Sequence, residues 1–330
     1  MVLNLGEKSK NLFQHSKEFE QGQGKIRKGA GTFIVALDGS GDFDDIQEAI
    51  NALPKSGGVV YIKEGTYNVT NPITITSNNV SLFGAGKSTI IKGSTALAQI
   101  IYVNGGDYIS IRDLSFGRIT TVGIRPLIAI ELENSIGSFI EGCWIDDNIH
   151  GAGIVLSGTC EGITIRNCNI DGEGTHPNQG ILIEASDSIV ESCYINDVQM
   201  GIGSVNAAGY NRNKIIGCII KSCSASGINL NTFNDSQIIG SLIDGCSQDA
   251  INLVSSDRNV ISGNSIINTT QGLGTGYGID IDANSDRNII CGNIIYNNQD
   301  GAVRDNGTNT HPNGASGTTN LTVDDLNIIA

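Results

Sequence analysis

Two columns of β-branched residues recur along this chain at a spacing far longer than the repeat of a helix or a strand. The first column contains Ile140, Ile165, Val190, Ile215, Ile238, Ile261 and Ile290. The second column follows five residues later and contains Ile145, Ile170, Ile195, Ile220, Ile243, Ile266 and Ile295. A fixed period of about 20 to 50 residues is typical of a solenoid, whose turns bury their apolar side chains only by stacking. Because this repeat is β-branched and lacks a leucine pattern, it predicts a parallel β-helix.

A third strand in each turn is predicted from a recurring segment of the Gly-Ile-x-Leu type. The segments are Ile154–Leu156, Ile181–Ile183, Ile228–Leu230, Ile251–Leu253 and Ile279–Ile281. Alternation with a period of two sends their apolar residues inward and the residues between them outward. The sequence therefore predicts three strands in each turn.

The two ends of the chain are predicted to differ from the repeat. Residues 1–32 are predicted to be an arm, residues 33–305 the β-helix, and residues 306–330 a turn-rich loop with an apolar tail or cap. Within the β-helix, residues 42–53 have apolar residues at helical spacing. Asp42 can cap this helix and Pro54 stops it, so we expect a helix that covers the open end of the core.

The composition narrows the classes of partner. The chain has 330 residues, 39% of them hydrophobic, and a formal net charge of −14. This charge disfavours nucleic acid and anionic membrane surfaces as partners. No apolar stretch approaches the length that crosses a bilayer, and residues 1–27 lack the apolar core of a secretory signal. We therefore expect no nucleic acid binding, no membrane insertion and no signal peptide.

Half of the eight cysteines share one position of the repeat. The position is occupied in turn by Cys143, Cys168, Cys193, Cys218, Ser241, Asn264 and Asn293. Asparagine suits such a bend because its amide can bond to the next rung, and cysteine replaces it as a small buried residue. We expect free thiols, and the absence of a C-x-x-C pair disfavours zinc.

The segment before the repeat carries a more specific pattern. Residues 35–54 are VALDGSGDFDDIQEAINALP, followed by GGVVYIKEGTY at 57–67, NVSLFGAGKSTII at 79–91 and YISIRDLSF at 108–116. These residues resemble the opening of the pectate-lyase-like superfamily of right-handed parallel β-helices, which includes pectin methylesterases and phage tailspikes. The resemblance implies an all-β, right-handed coil whose opening carries no chemistry. Through the tailspikes it also implies a homotrimer.

The catalytic motifs of two such families are missing from this sequence. Pectin methylesterases carry a catalytic Asp in a DFIFG-like segment, whereas residues 138–144 are SFIEGCW. Polygalacturonases carry an NTD segment and a Gly-His-Gly segment, and neither occurs. The resemblance therefore implies the fold without implying either activity.

Long connections predict where a groove could lie, because insertions in a solenoid cluster on its functional face. The longest connections between the second column and the third strand are Asp171–Gly180 and Ile267–Gly278. They leave the same corner four rungs apart, which is about 19 Å at the spacing of β-strands. The outward residues between them would form the floor: Gly203, Val205, Asn229, Asn231, Asn252, Val254, Asp280 and Asp282.

Two carboxylates on this floor are candidate catalytic residues. Asp280 and Asp282 are two positions apart on one strand, so both should face the same way, as the paired carboxylates of glycosidases do. The same pair could hold Ca²⁺, which would suit a uronate lyase in which Arg304 assists. The alternative is a solvated Asn/Asp ladder without chemistry. Asn252 on one side and Arg304 on the other would stack against this pair. The candidate substrate-binding residues here are Asn229, Asn231, Asn252, Tyr277 and Arg304.

A second candidate site lies at the first of the two long connections. Asp146 and Asp171 share one position of the repeat, and stacked like charges raise one pKa, which suits an acid–base pair or a cation site. Glu173 joins Asp171 as a candidate catalytic residue, and His176 and Glu184 are candidate substrate-binding residues. The alternative is an exposed turn whose carboxylates cap backbone N–H groups.

Three functions remain open on this sequence. The leading one is a tailspike-like protein, extracellular or on a virion surface, that binds a polysaccharide or cell-surface glycan and cleaves it as a glycoside hydrolase or depolymerase. The second is a Ca²⁺-dependent uronate lyase or epimerase. The third is a structural or adhesive β-helix that catalyses nothing.

Overall fold

The computed structural model describes residues 31–94, 97–118, 128–146, 151–172, 179–204, 208–270, 272, 274–308, 310 and 328–329. These residues form one short α-helix, α1 (Ile46–Ala52), one 3₁₀ turn (Gly86–Ser88) and many short strands. The strands of the first turns, in chain order, are β1 (Thr32–Val35), β2 (Gly58–Ile62), β3 (Gly65–Val69), β4 (Ile73–Ile75), β5 (Val80–Phe83), β6 (Thr89–Gly93), β7 (Gln99–Asn104), β8 (Ser110–Arg112), β9 (Ser115–Arg118), β10 (Ile128–Glu133), β11 (Phe139–Glu141) and β12 (Trp144–Ile145).

The strands continue through the repeat, and most of them have three to five residues. They are β13 (Ala152–Glu161), β14 (Thr164–Arg166), β15 (Asn169–Asp171), β16 (Gln179–Ser186), β17 (Ile189–Glu191), β18 (Tyr194–Asn196), β19 (Met200–Gly203), β20 (Tyr210–Asn211), β21 (Lys214–Ile216), β22 (Ile219–Lys221), β23 (Ile228–Asn231), β24 (Phe233–Asn234), β25 (Gln237–Ile239), β26 (Leu242–Asp244), β27 (Ile251–Val254), β28 (Val260–Ser262), β29 (Ser265–Ile267), β30 (Tyr277–Ile281), β31 (Ile289–Cys291), β32 (Ile294–Tyr296), β33 (Gly301–Asp305) and β34 (Ile328–Ile329).

Successive turns of the coil stack into three parallel sheets. The first sheet has the order β1-β2-β5-β8-β11-β14-β17-β21-β25-β28-β31. The second sheet has the order β3-β6-β9-β12-β15-β18-β22-β26-β29-β32-β34. The third sheet has the order β4-β7-β10-β13-β16-β19-β23-β27-β30-β33, and β20 and β24 form a separate parallel pair. The predicted all-β parallel β-helix is therefore confirmed.

The two isoleucine columns form the core. Ile140 pairs with Ile165 in the first sheet, and Ile170 pairs with Ile195 in the second. Members of both columns are almost completely buried, as predicted. Burying one such side chain contributes about 1.5–3 kcal/mol, so the stacked columns supply much of the stability.

Steric crowding between adjacent rungs explains why the Gly-Ile-x-Leu segments begin with glycine. A Cβ on Gly201 would lie 2.5 Å from the carbonyl oxygen of Gly227 on the next rung, and Gly180 meets Gly201 in the same way at 2.4 Å. Real Cβ atoms do not approach a carbonyl oxygen so closely. The third strand therefore begins where adjacent rungs come too close for a side chain.

The cysteine and asparagine position stacks as predicted. Cys143, Cys168, Cys193 and Cys218 are buried in successive rungs. Further along, the Asn264 side chain accepts a hydrogen bond from the Ser241 N–H at 2.9 Å and donates one to the Ile238 carbonyl at 3.0 Å. Each amide thus satisfies backbone groups that lie between strands and could not otherwise find a partner in the core.

The capping helix is shorter than predicted and starts at a different residue. Asp45, not Asp42, is its N-cap, and the Asp45 side chain accepts a hydrogen bond from the Glu48 N–H at 2.9 Å. Asp42 instead accepts a hydrogen bond from the Ile34 N–H at 2.9 Å, which holds it against β1. The buried face of α1 packs against the core beside β1, β2 and β4, so the helix covers the N-terminal end of the coil.

The ends of the chain contribute little else that the structure describes. Most of the predicted N-terminal arm lies outside the described residues. Near the C-terminus, Ile328 and Ile329 pair in parallel with Ile294 and Ile295 and extend the second sheet. Within the described part of the chain, no helix has the length and apolar character needed to span a membrane.

Candidate functional site

One row of outward-facing residues runs along the third sheet from rung to rung. We call it the outer row, and its members in register are Tyr102, Glu131, Val155, Leu182, Gly203, Asn229, Asn252, Asp280 and Arg304. Glu131 and Arg304 are seven strand spacings apart, which is about 34 Å. Polar side chains occupy both ends of the row, and small or apolar ones occupy its middle.

The C-terminal end of the outer row contains an ion pair. Asp280 binds Arg304 through two hydrogen bonds, one of them from Arg304 Nε to Asp280 Oδ1 at 2.6 Å. The Arg304 guanidinium lies 4.8 Å from the ring centre of Tyr277. Hydrogen bonding to Asp280 raises the pKa of Arg304 above its ordinary value, so its positive charge is permanent. The predicted neighbours Asn252 and Arg304 do flank Asp280 in the sheet.

Asp249 is a buried member of this cluster that the sequence analysis missed. It accepts hydrogen bonds from the Tyr277 N–H and the Thr275 hydroxyl, both at 2.8 Å. Burial raises the pKa of Asp249 to about 6. The residue precedes β27 in a polar turn, where an aspartate is common, so no pattern distinguished it from an ordinary turn residue.

The predicted asparagines form a ladder beside the ion pair. Asn252 Nδ2 donates a hydrogen bond to Asn229 Oδ1 at 3.1 Å, and both side chains are half-buried. Asn231 lies two positions along β23 and pairs in register with Val254. Because an amide offers both donors and acceptors, this ladder can bind hydroxyl groups in either sense.

Asp282 does not form a pair with Asp280 in the way that the alternation predicts. β30 ends at Ile281, and Asp282 lies in the turn that follows. Asp282 Oδ1 accepts hydrogen bonds from the Ser255 N–H at 3.0 Å and the Ser285 hydroxyl at 2.7 Å. The two carboxylates therefore have different partners: one binds a guanidinium and the other organises a turn. Their catalytic role stays a prediction.

The residues of the second predicted site divide between two sheets. Asp171 ends β15 in the second sheet and accepts a hydrogen bond from Asn196 Nδ2 at 3.1 Å. Glu184 is half-buried in β16 of the third sheet, four strands from Asp280. Glu173 and His176 lie outside the described residues. The structure therefore does not bring Asp171 and Asp280 together, because they lie on different sheets and about four rungs apart.

A polar cluster that the sequence analysis missed lies at the N-terminal end of the outer row. Glu131 accepts hydrogen bonds from Gln99 Nε2 at 2.7 Å and from the Ser157 hydroxyl at 3.1 Å. The Tyr102 hydroxyl donates a hydrogen bond to Glu133. This bond is the main cause that raises the pKa of Tyr102 to about 12.

The sequence does contain a pattern that indicates this cluster, but the pattern lies before the two isoleucine columns. Glu131 and Glu133 alternate with buried residues in β10, which is the pattern of an outward pair. The two isoleucine columns begin at Ile140, one strand after this pair, so their period does not include Glu131 and Glu133.

The contacts at Asp280 and Asp282 do not fit calcium. Ca²⁺ takes about six to eight oxygen ligands. Both Asp280 oxygens bind the Arg304 cation, and Asp282 is engaged by backbone and hydroxyl donors. In the described ranges no group of three His, Cys, Asp or Glu side chains could hold a metal ion.

Two family models match separate parts of the chain. Residues 179–322 match a family described as the right handed beta helix region, and residues 32–118 match the pectinesterase family. A probable pectinesterase/pectinesterase inhibitor of Arabidopsis thaliana is 26% identical over 220 residues, which are 53% of this chain and 37% of that relative. The chain thus spans well under half the length of this relative.

Solved structures with a similar fold come from viruses and bacteria. ORF18 of Geobacillus virus E2 superposes with a TM-score of 0.65 at 19% identity, covering 82% of this chain and 56% of that one. The tailspike of E. coli bacteriophage HK620, solved with a pentasaccharide, gives 0.61 at 12% identity and covers 83% and 56%. The A-module of the Azotobacter vinelandii mannuronan C-5 epimerase AlgE4 gives 0.55 at 17% identity and covers 86% and 88%.

These similarities agree with the architecture described above. The matched pectinesterase segment contains the capping helix and β1 to β9, and the matched beta helix segment begins at β16. Both segments belong to one continuous stack of three parallel sheets. Together the two matches and the three stacked sheets support a right-handed parallel β-helix for this chain.

Proposed function

We propose that this protein binds a polysaccharide lengthwise along the outer row of the third sheet. The observation that carries the proposal is the row itself, in which polar side chains at both ends flank a middle that contains the half-buried Leu182 and Gly203, which has no side chain, over about 34 Å. Sugars present hydroxyl edges and apolar faces. An extended glycan chain could therefore bond to the ends of the row and pack its apolar faces on the middle.

Two features support the binding of a polysaccharide along the outer row. Asn229 and Asn252 offer amide groups that bind hydroxyls, and Tyr277 offers an aromatic ring beside Arg304 that can pack on the C–H face of a sugar. The HK620 tailspike, which shares the fold, was solved with a pentasaccharide. A protein of this kind would act at the surface of a virion or otherwise outside the cell, on a cell-surface glycan.

The double variant Asn229→Ala/Asn252→Ala should bind its glycan about 10- to 100-fold more weakly. Each lost hydrogen bond of an amide contributes about 0.5–1.5 kcal/mol, and the pair acts at adjacent rungs. Binding is measured on an array of bacterial surface polysaccharides and then quantified on the glycan that binds best.

Asn169→Ala is the matched control, because Asn169 is a half-buried asparagine at the start of a strand in the second sheet. It should leave glycan binding unchanged. Retention of full affinity by the double variant would rule out this part of the row, and a failure of every polysaccharide to bind would rule out the proposed function.

A hydrolytic activity is the second candidate, and Glu131 and Glu133 favour it. They lie two positions apart on one face of β10, which places their Cα atoms about 7 Å apart. Two glutamates at this spacing can bring their carboxyl groups within the roughly 5 to 10 Å that glycoside hydrolysis requires. Tyr102 and Gln99 hold them in place. Assays for new reducing ends and for unsaturated products distinguish hydrolysis, elimination and binding without turnover. The last result would favour an adhesive protein.

We also propose that three copies associate through the first and second sheets, which leaves the third sheet free. Ile289 of the first sheet and Ile294 of the second are each 43% exposed, and Tyr296 is 39% exposed. The variant Ile289→Lys/Ile294→Lys should convert the trimer to monomer in light scattering, because it places charge in an apolar contact. The control Thr66→Lys/Thr164→Lys adds the same charge to the same two sheets, but many rungs away from this apolar C-terminal patch, so it should leave the trimer intact. A monomeric parent protein would contradict this assembly.

A further inference from the structure

Acidic residues outnumber basic residues in the third sheet, which contains the outer row. In the strands of the third sheet, the acidic residues are Glu131, Glu133, Glu161, Glu184, Asp280 and Asp305. Arg304 is the only basic residue in those strands, and Asp280 binds it through both carboxylate oxygens. The cation of this face is therefore already neutralised within the protein.

The carboxylates at the other end of the row have neutral partners. Glu131 accepts hydrogen bonds from Gln99 and Ser157, and Glu133 accepts one from Tyr102. None of these three donors carries a positive charge, and both glutamates are half-buried. Their negative charges therefore face the space in which the proposed polysaccharide lies.

These charges discriminate between classes of polysaccharide. A polyuronate carries a carboxylate on each sugar, and like charges at a protein surface repel each other more strongly the closer they lie. An uncharged sugar instead donates its hydroxyls to the glutamates, and hydrogen bonds to a charged acceptor are stronger than neutral ones. The net charge of −14 adds a longer-range repulsion of polyanions.

We infer that the ligand of the outer row is an uncharged polysaccharide, built from neutral or N-acetylated sugars, and not a polyuronate. This inference rests on the proposed function, because it names the substrate class of the same surface. The inference assigns to Glu131 and Glu133 the discrimination against acidic polymers. This role does not depend on whether the same residues also cleave the polysaccharide.

The test compares polymers that differ only in charge. The full chain is applied to bacterial surface polysaccharides, polygalacturonate and alginate, with each acidic polymer present both unmodified and after reduction of its carboxylates. Binding is measured at about 0.01 M and about 0.15 M ionic strength, where the Debye lengths are about 30 Å and 8 Å. We expect the uncharged members to bind at least about 10-fold more tightly than their charged counterparts, with a smaller ratio at higher salt.

The variant Glu131→Gln/Glu133→Gln keeps the size of both side chains and removes their charge. It should raise the affinity for the unreduced polymers about 10-fold at low ionic strength. The control Glu64→Gln/Glu191→Gln removes two negative charges elsewhere, because Glu64 lies exposed between β2 and β3 and Glu191 lies on the first sheet. This control should leave the preference unchanged.

The possible results of these binding measurements distinguish a failure of the inference from a failure of the proposed function. Tighter binding of the unreduced polymers by the parent protein would overturn the inference while leaving polysaccharide binding intact. An equal shift in the control would assign the selection to net charge and would also overturn the role of Glu131 and Glu133. If no polymer of either class binds, the proposed function fails, and the inference fails with it.

Discussion

Replacing Arg304 with alanine should lower the free energy of unfolding by about 3 kcal/mol. The Asp280 side chain is only 8% exposed and both of its oxygens bind Arg304, so the variant leaves a carboxylate with little water and no cation. Removing one partner of a buried ion pair costs about 3–5 kcal/mol. We take the lower end of that range because the Arg304 side chain is 35% exposed. Chemical denaturation measures the loss.

Two further variants test the origin of that loss. Arg287→Ala removes an exposed arginine whose Nε lies 2.9 Å from Asp286, and exposed pairs contribute at most about 1 kcal/mol. The variant Asp280→Leu/Arg304→Met removes both charges and should regain most of the stability, because no buried charge is then left unpaired. Equal losses for Arg304→Ala and Arg287→Ala would show that Asp280 is well solvated without its partner.

The fold was predictable because the period of the repeat indicates which residues lie next to each other in the structure. In a parallel β-helix, residues one period apart lie on adjacent rungs, so the spacing of Ile170 and Ile195 predicts their pairing without any knowledge of the intervening loops. The same logic predicted that Asn252 and Arg304 flank Asp280. Contacts that follow from the period could be read from the sequence.

Contacts that depend on where a strand or helix ends could not be read in this way. Asp282 was predicted to face outward with Asp280, but β30 ends one residue before it, and the Ser255 N–H and the Ser285 hydroxyl bind its carboxylate in the turn. Asp42 and Asp45 are both plausible helix caps, and only the bond from Ile34 to Asp42 decides between them. The spacing of Asp146 and Asp171 belongs to the first kind, because they follow Ile145 and Ile170, which pair in register on adjacent rungs of the second sheet.

Ile220→Ala should lower the free energy of unfolding by about 4 kcal/mol, because it opens a cavity in the middle of the stack. Ile220 is completely buried and pairs in register with Ile195 and Ile243 on the adjacent rungs. Truncation of a buried isoleucine to alanine costs about 2–5 kcal/mol, depending on how far the site can collapse. Here the backbone ladders on both sides fix the rung spacing, so we expect a value in the upper half of the range. Chemical denaturation of the full chain measures it.

The neighbouring residue of the same strand supplies the control. Ile219 points to the opposite face of β22 and is 39% exposed, so Ile219→Ala removes the same atoms without opening an internal cavity. It should cost less than about 1 kcal/mol. The ratio of the two losses in the free energy of unfolding measures how strictly β22 separates an inner from an outer face. Similar costs for both would mean that the rungs can rotate or slip, and a surface that slips could not hold the outer row in register for a polysaccharide.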